Sequence, residues 1–585
     1  MHLNADSTTD RISIAMTAVS DIINSGLSAV PKMGQLLVST AAAAADPKTY
    51  KQAMKTAEAA LWRAACRKEV SNHINNSTIE LISADEVPPG RKLIGMTDVI
   101  KTKRDGSKKW RLCVRGFSQI EGVDFNDTFA PTCRSSSLRV LVAIAAVHGC
   151  NNLTRVDFDA AYLQGTLPDD EIQYMTMTPS FAENLPEGIS AVDEHGRQKV
   201  CRVIKPIYGM KQAGHLWHRA LNDYLVNRAG FTRCSADPCV YFRRDDLERT
   251  LVIGTYVDDL TICSNDPAYR EEFVSDLGKE FSITDEGPLA DVVNIQIQPN
   301  KDGSVTIHQK AYIEKLADTY LGDLATRMQY KNPAHGDLPK LVEQAVEAAT
   351  AASPDLLHAY QSIVGALLYC AVSTRPDISY AVGMLCRTMT KPTPELLAAA
   401  QRVLIYLSIT KDLGITFEAD DANAMVVSGF SDSDWAVQHS TSGYIFQVAK
   451  GAVSWKSSKQ PSVSLSSTEA EITAASYGGA EAVYLRNLLE EIGFEQPEPT
   501  TLHVDNQGAV FISKYAGHSH SKMKHVARRH FFIRELVQDG KINVSFIRTD
   551  DNVADLFTKP LVTRKFQELR DKAMNIKPRT PVTGT

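Results

Sequence analysis

Apolar and polar positions alternate with a period of two in some runs and with a helical period in others, and the switches between them divide the chain. Residues 1–44 are rich in Ala, Ser and Thr, run into AAAAAD (41–46), and read as a leader or linker. From Asp46 to Ala84 the spacing of Trp62, Ala65 and Val70 predicts helix with one buried face. The stretch PPGRKLIGMTDVIKTKRDGSKKWRLCVRG (88–116) gives two β-branched runs joined by RDGSKK, a hairpin. Across 150–300 strands alternate with helices. TRVDFDAAYL begins as a strand, HLWHRALNDYLVNRAG reads as a helix closed by Gly230, and TLVIGTYVDDLTICSND reads as a hairpin. Residues 301–420 are mostly helical. From Met425 the order is strand, strand, strand, helix, strand, helix, strand, helix, a compact mixed α/β unit. The expected division is 1–44, 45–300, 301–420, 421–575 and a tail, 576–585.

Composition narrows the class. A length of 585 residues suggests about three to five folded units. Hydrophobic residues at 43% and charged residues at 23% exclude a largely disordered or fibrous chain. The 10 cysteines show no CxxC pair and no zinc-finger spacing, which argues against a disulfide framework or structural zinc and favours a reducing compartment. The start, MHLNADSTTDR, lacks a signal pattern, and the stretch LRVLVAIAAV (138–147) is too short to span a bilayer. The expectation is a soluble intracellular protein with no membrane partner. Net charge is -6, yet the hairpin concentrates Lys101, Lys103, Arg104, Lys108, Lys109, Arg111 and Arg115 against the single Asp105. With Trp110 interleaved, this reads as a phosphate-binding finger, the plainer alternative being a solvated hairpin.

Two sets of carboxylates carry the chemistry. Asp258 and Asp259 lie between apolar runs, and because neighbours on a strand face opposite ways, a turn is needed to bring both to one site. A further acid ends the strand in VDFDAAYL, with alternation leaving Asp157 and Asp159 equal candidates. Partly desolvated like charges demand cations, and hard divalent ions with oxygen ligands answer that demand. Three such acids could hold two metals about 4 Å apart, the arrangement that runs in-line displacement at phosphorus. The second set is Asp432, Glu471, Asp505 and Asp555 at successive element ends of the last unit. Glu469 is accounted for by a capping box starting at Ser466, Asp505 has a plain N-cap as its alternative, and Asp434 shares a face with Asp432.

Taken together, RLCVRGFSQIEGVDFNDTFAPTCRSSSLRVLVAIAA, VDFDAAYLQGTL, YGMKQAGHLW, YVDDL, STRPDISYAV, FSDSDWA, SWKSSKQPSVSLSSTEAEITA, VDNQGAVFISK and ADLFTKPL stand in collinear order from about residue 46 to about 575. The chain resembles the reverse transcriptase–ribonuclease H region of copia-type LTR-retrotransposon Pol polyproteins. The resemblance implies an α+β fold: a right-hand polymerase with fingers and a ferredoxin-like palm, a helical thumb or connection, then an α/β ribonuclease H-like domain. It implies RNA- and DNA-templated DNA polymerisation and cleavage of RNA in RNA–DNA hybrids, with two Mg²⁺ or Mn²⁺ ions per active site. Its partners would be RNA template, primer, hybrid and dNTPs, in a cytoplasmic virus-like particle with entry to the nucleus. Asp157, Asp258 and Asp259 then match the polymerase acids, and Asp432, Glu471, Asp505 and Asp555 the nuclease acids. Arg111 and, more loosely, Arg104 match triphosphate-gripping bases. Tyr162 matches a steric gate against a ribose 2′-hydroxyl, and Gln212 falls in the nucleotide-pocket segment. The basic stretch Lys522–Arg534 would face the hybrid's backbone.

Four places depart from the family pattern. KQAPR reads Lys211-Gln212-Ala213-Gly214-His215, LGI reads Val293-Asn294-Ile295, a finger Trp is Asp98, and KHVARRHFFIRE carries Ala527 and Phe531 for an acid and a histidine. No matching carboxylate is lost. The departures leave a second reading open, a decayed relic or a domesticated nucleic-acid-binding protein, and a third in which the nuclease alone works.

Overall fold

The computed structural model describes residues 46–577 except 104–105, 150–151, 323, 325–327, 348–351, 420–424, 437–438 and 515–523, and at 524–528 and 530 the backbone alone. The leader 1–44, Arg104 and much of the basic stretch from Lys522 therefore lie outside the described residues.

The predicted hairpin forms from Leu93–Thr102 and Lys108–Val114, which end a five-stranded sheet ordered Ile79–Ile82, Val200–Val203, Gln173–Thr176, Leu93–Thr102, Lys108–Val114. Its inner face packs on the helix Ala59–Asn75 through Trp62, Cys66 and Val70. Trp110 belongs to that inner face. It is 2% exposed, with its indole donating to Asp98 at 3.0 Å, so the interleaved aromatic is a core residue and no part of a phosphate finger. The same bond explains how Asp98 sits where a Trp was expected.

The second sheet runs Ile283–Pro288, Leu153–Phe158, Asp259–Ser264, Thr250–Tyr256, Val240–Arg244, Thr232–Arg233. The helices Ala213–Asn227 and Pro267–Glu280 cover one face through Trp217, Leu221, Leu225, Phe273 and Leu277. Strand, helix, hairpin, helix and strand give the β-α-β-β-α-β order of a ferredoxin-like unit. The other face packs on Ser135–His148, a helix apolar nearly all round and buried accordingly.

Residues 301–420 are largely helical, but a four-stranded sheet crosses the expected boundary at 300. It joins Asp291–Val292, Ile295–Pro299, Val305–His308 and Ile415–Phe417. Val292 pairs with Ile295, so Val293 and Asn294 form a two-residue turn, both at positive φ (49° and 57°), the conformation that type I′ hairpins require. The helix Pro354–Ser373 is long and apolar enough by composition to cross a membrane. Here its Tyr360, Ile363, Val364, Leu367 and Cys370 are core residues, and the Tyr360 hydroxyl donates to Leu385 O at 2.8 Å.

The last sheet runs Gly451–Lys459, Thr441–Val448, Ser428–Asp434, Thr500–Val504, Ile542–Phe546. The first three strands are antiparallel and the last two parallel to the central one. Helix Ser467–Glu491 lies across it. Two further helices, Lys524–Gln538 and Thr563–Met574, add to the expected order, and the late helix expected around Asp555 is a 3₁₀ turn, Val553–Phe557. The nine cysteines among the described residues are free.

Candidate active sites

Tyr256 pairs directly with Asp259, which leaves Val257 and Asp258 as the hairpin's two-residue turn. Val257 has φ 57°, a costly conformation for a β-branched residue, and the Trp217 indole holds it by donating to its carbonyl at 2.6 Å. Asp258 is thereby exposed at the tip, while Asp259 opens the return strand directly opposite Asp157. The backbone N–H of Phe158 donates to Asp258 O at 2.9 Å and fixes the tip against that neighbouring strand. Asp159 is held elsewhere, accepting from the Ser282 hydroxyl at 3.0 Å, so it is Asp157 that joins the pair.

Arg155 stands two residues before Asp157, on the same face. Its guanidinium lies 2.6 Å from Asp259, 3.8 Å from Asp157, 3.3 Å from Glu286 and 3.5 Å from Asp291. Burial lifts Asp259 to about 6 despite the pull of Arg155, with Asp258 and Asp157 adding to the rise. Burial and Asp258 likewise raise Asp157. The donor set suits a divalent cation, since repelling acids gather at one end of two neighbouring interior strands, but Asp259 is satisfied by Arg155.

Across from this end stand Lys109 and Arg111 of the first sheet. Arg111 lies 4.7 Å over the Tyr208 ring, which meets Tyr162 at 5.5 Å between centroids. Burial, together with the charges of Arg111 and Lys103, pushes the Lys109 ammonium down, while Asp258 pulls it back up. Arg111 and Tyr162 are thus gathered at the turn that carries Asp258. Gln212 is not: it is fully buried, donating to Asp124 O at 2.9 Å and Glu171 Oε2 at 3.2 Å and accepting from Gln119 at 3.1 Å. Its amide is consumed in holding the loop, which corrects its placement in the pocket.

In the last unit Asp432 lies on the central strand, Glu471 in the first turns of Ser467–Glu491 and Asp505 just after Thr500–Val504. One carboxylate oxygen from each lies within 4.8 Å of the others, the acidic group among the described residues spaced to hold a metal ion. The Asp157, Asp258 and Asp259 carboxylates are not drawn to that spacing. Ser466 caps the helix, accepting from Glu469 N at 3.2 Å, and Glu469 accepts from Leu465 N at 2.9 Å, which leaves Glu471 for the cluster. Asn506 caps the next helix, accepting from Ala509 N at 2.9 Å, which relieves Asp505 of that role. Glu471 Oε1 accepts from Ser433 N at 3.2 Å, whereas its buried Oε2 has no hydrogen-bond partner. A cation fits there: an orphaned anionic oxygen in a buried site is costly without one.

Asp555, on the 3₁₀ turn, is paired with Lys559 at 2.8 Å, and Lys559 also lies 3.7 Å from Asp432. Burial lifts Asp432 to about 7, with Lys559 pulling it down and Asp555 adding to the rise, and burial and Asp432 raise Glu471 well above its usual range. Sequence reasoning missed Arg155 and Lys559. Each had a signal, a base two residues from an acid on a strand and a base four residues from an acid on a turn.

The chain matches the family described as "Reverse transcriptase (RNA-dependent DNA polymerase)" over residues 76–328. It is 32% identical over 328 residues to the transposon Ty5-1 protein of Saccharomyces cerevisiae, 98% of which it covers. The chain belongs to the copia-type retrotransposon Pol family. It is also 31% identical over 533 residues to the retrovirus-related Pol polyprotein from transposon TNT 1-94 of Nicotiana tabacum, and 33% identical over 541 residues to that from transposon RE1 of Arabidopsis thaliana. These alignments cover 89% and 91% of this chain but 38% and 35% of the two polyproteins, so it spans little more than a third of their length. A solved foamy viral protease–reverse transcriptase in complex with dsDNA superposes with a TM-score of 0.47 at 11% identity, covering 84% of this chain and 83% of the viral one. Asp157, Asp258, Asp259 and Arg111 lie inside the matched reverse transcriptase region, and the second acidic cluster lies beyond it.

Proposed function

We propose that the chain polymerises DNA on RNA and DNA templates at the site formed by Asp157, Asp258 and Asp259, and cleaves the RNA of a hybrid at Asp432, Glu471, Asp505 and Asp555. The observation that carries the first activity is the register setting Asp157 opposite Asp259, with Asp258 in the turn close enough for Lys109 to feel its charge. The observation behind the second is the trio Asp432, Glu471 and Asp505, two of them buried and the third half-buried, gathered on a five-stranded sheet with a carboxylate oxygen from each within 4.8 Å of the others.

Divalent ions, Mg²⁺ or Mn²⁺, held by these acids would acidify the attacking hydroxyl or water and neutralise charge building at phosphorus. The protein's own groups do the rest. Lys109 and Arg111 offer cationic partners for a triphosphate, Arg111 stacked on Tyr208 so that its fork is pre-set. Tyr162 and Tyr208 wall the sugar position, and bulk at Tyr162 rejects a 2′-hydroxyl by clash. In the second site Glu471 keeps one buried oxygen without a hydrogen-bond partner.

Primer extension on an RNA template and cleavage of a labelled hybrid, run on one preparation with Mg²⁺ or Mn²⁺, test both parts. Asp258→Asn is expected to lower dNTP incorporation at least about 1,000-fold and leave cleavage intact, with Asp505→Asn doing the reverse. A parent protein that incorporates no dNTP refutes polymerisation. The clamp of Arg155 on Asp259 favours one alternative, a chain in which the nuclease alone works. Cleavage without incorporation is its signature.

A further inference from the structure

The turn Val553–Phe557 that delivers Asp555 is locked to the sheet. Asn552 donates to Ser431 O at 3.1 Å and accepts from Ala554 N at 3.1 Å. Gly443, on the strand beside Asp432, lets the turn approach: a Cβ there would lie 2.7 Å from the Phe557 Cβ and 2.8 Å from Thr558. The two residues that follow are therefore placed by backbone. Thr558 donates to Asp432 Oδ2, and Lys559 sets its ammonium 2.8 Å from Asp555 Oδ1 and 3.7 Å from the same Asp432 oxygen. A cation shared by Asp432 and Asp555 would stand where that ammonium stands. The oxygens spaced for metal are those of Asp432, Glu471 and Asp505, without Asp555.

We propose that Lys559 occupies the place of the second cation in the C-terminal acidic site, so that this site binds one divalent ion, on Asp432, Glu471 and Asp505. Four ionised carboxylates carry four negative charges. One ammonium and one divalent ion leave a single negative charge, whereas a second divalent ion beside the same ammonium would overshoot neutrality within a buried site. Lys559 is a positioning residue: it fixes Asp555 and Asp432 and sets how many ions the cluster takes. The inference rests on the reading of this cluster as a metal site.

The test counts bound Mn²⁺ by electron paramagnetic resonance on the full chain carrying Asp157→Asn, Asp258→Asn and Asp259→Asn, which silences the other acidic site. One tightly held ion is expected, lost on adding Asp505→Asn. Lys559→Met is expected to admit a second ion, and Lys559→Arg to keep the count at one. Lys559→Gln carries the same expectation if Lys559→Met fails to fold by circular dichroism. Two ions with Lys559 in place, no ion at all, or a count unmoved by both Lys559→Met and Lys559→Gln would each overturn the proposal. Hybrid cleavage is measured on the same samples. A one-ion count that responds to Lys559, in a protein that cleaves no hybrid, leaves this inference standing and fails the nuclease reading instead.

Discussion

Asp432 shows what a single buried acid does to the whole unit. It is 1% exposed on the central strand, with Glu471, Asp505 and Asp555 around it. In the metal-free protein its pKa of about 7 lies above the unfolded value of about 3.9. A raised value means that the fold binds the proton more tightly than the unfolded chain does. That stabilisation is complete below about pH 4 and is lost as pH rises through about 7. Glu471, raised by burial and by Asp432, acts in the same direction. Melting in EDTA should therefore fall steadily between about pH 5 and pH 8, and millimolar Mg²⁺ should flatten the curve by giving the carboxylates a cation. Asp432→Asn should make the fall shallower without metal, leaving the share that burial of Glu471 contributes. Scanning fluorimetry checks this, and a metal-free melting temperature indifferent to pH would contradict it.

At the scale of elements, Arg139 joins three of them. It sits within Ser135–His148, and its guanidinium donates to Val453 O at 2.7 Å, Val372 O at 2.9 Å and Ser373 O at 3.0 Å while stacking 4.0 Å over Trp455. The Trp455 indole in turn donates to Ala371 O at 2.8 Å. A lysine could not reach three diverging carbonyls from one nitrogen, so Arg139→Lys should destabilise by about 2–3 kcal/mol and Arg139→Ala by more, read from urea unfolding. The run LRVLVAIAAV shows its apolarity in the sequence, but the partners of Arg139 lie hundreds of residues away, where no local pattern points. The same divide runs through the sites. Alternation grouped Trp110 with Leu112 and Val114 on the buried face, a signal present in the sequence and overridden by the charges beside it. Alternation alone could not choose between Asp157 and Asp159; the family resemblance pointed to Asp157, and Ser282, far along the chain, holds Asp159 aside. The acids at element ends were legible, since their apolar flanks force those ends into one sheet. The short strand Ile415–Phe417 had too few residues to show a period, and it is the strand that closes the sheet running across residue 300.

At the scale of the molecule, that sheet and one continuous core make the expected units interdependent. The core runs from Val140–Ala146 on the back of the central sheet, through Tyr360, Leu404 and Tyr406, to Phe566 and Met574 near the end of the described residues. Polar contacts reinforce it. The Ser137 hydroxyl lies 2.6 Å from that of Tyr484, Arg134 stacks on the same ring at 4.3 Å, and Glu491 accepts from Ser235 N at 2.7 Å. Cutting at 420 would strip Ile415–Phe417 of the strand Gly451–Lys459 packed beside it and bare Tyr406, whose ring meets Phe566 at 5.7 Å. A fragment 46–420 would thus carry a large apolar face into water, well beyond what a stable monomer exposes. It should aggregate or melt without a cooperative transition, and so should 421–577. Fragments mixed after separate refolding should regain a single transition only if they re-form the shared core. Calorimetry on each fragment and on the mixture checks this, and a cooperative, monomeric 46–420 would show that the two acidic sites belong to separable domains.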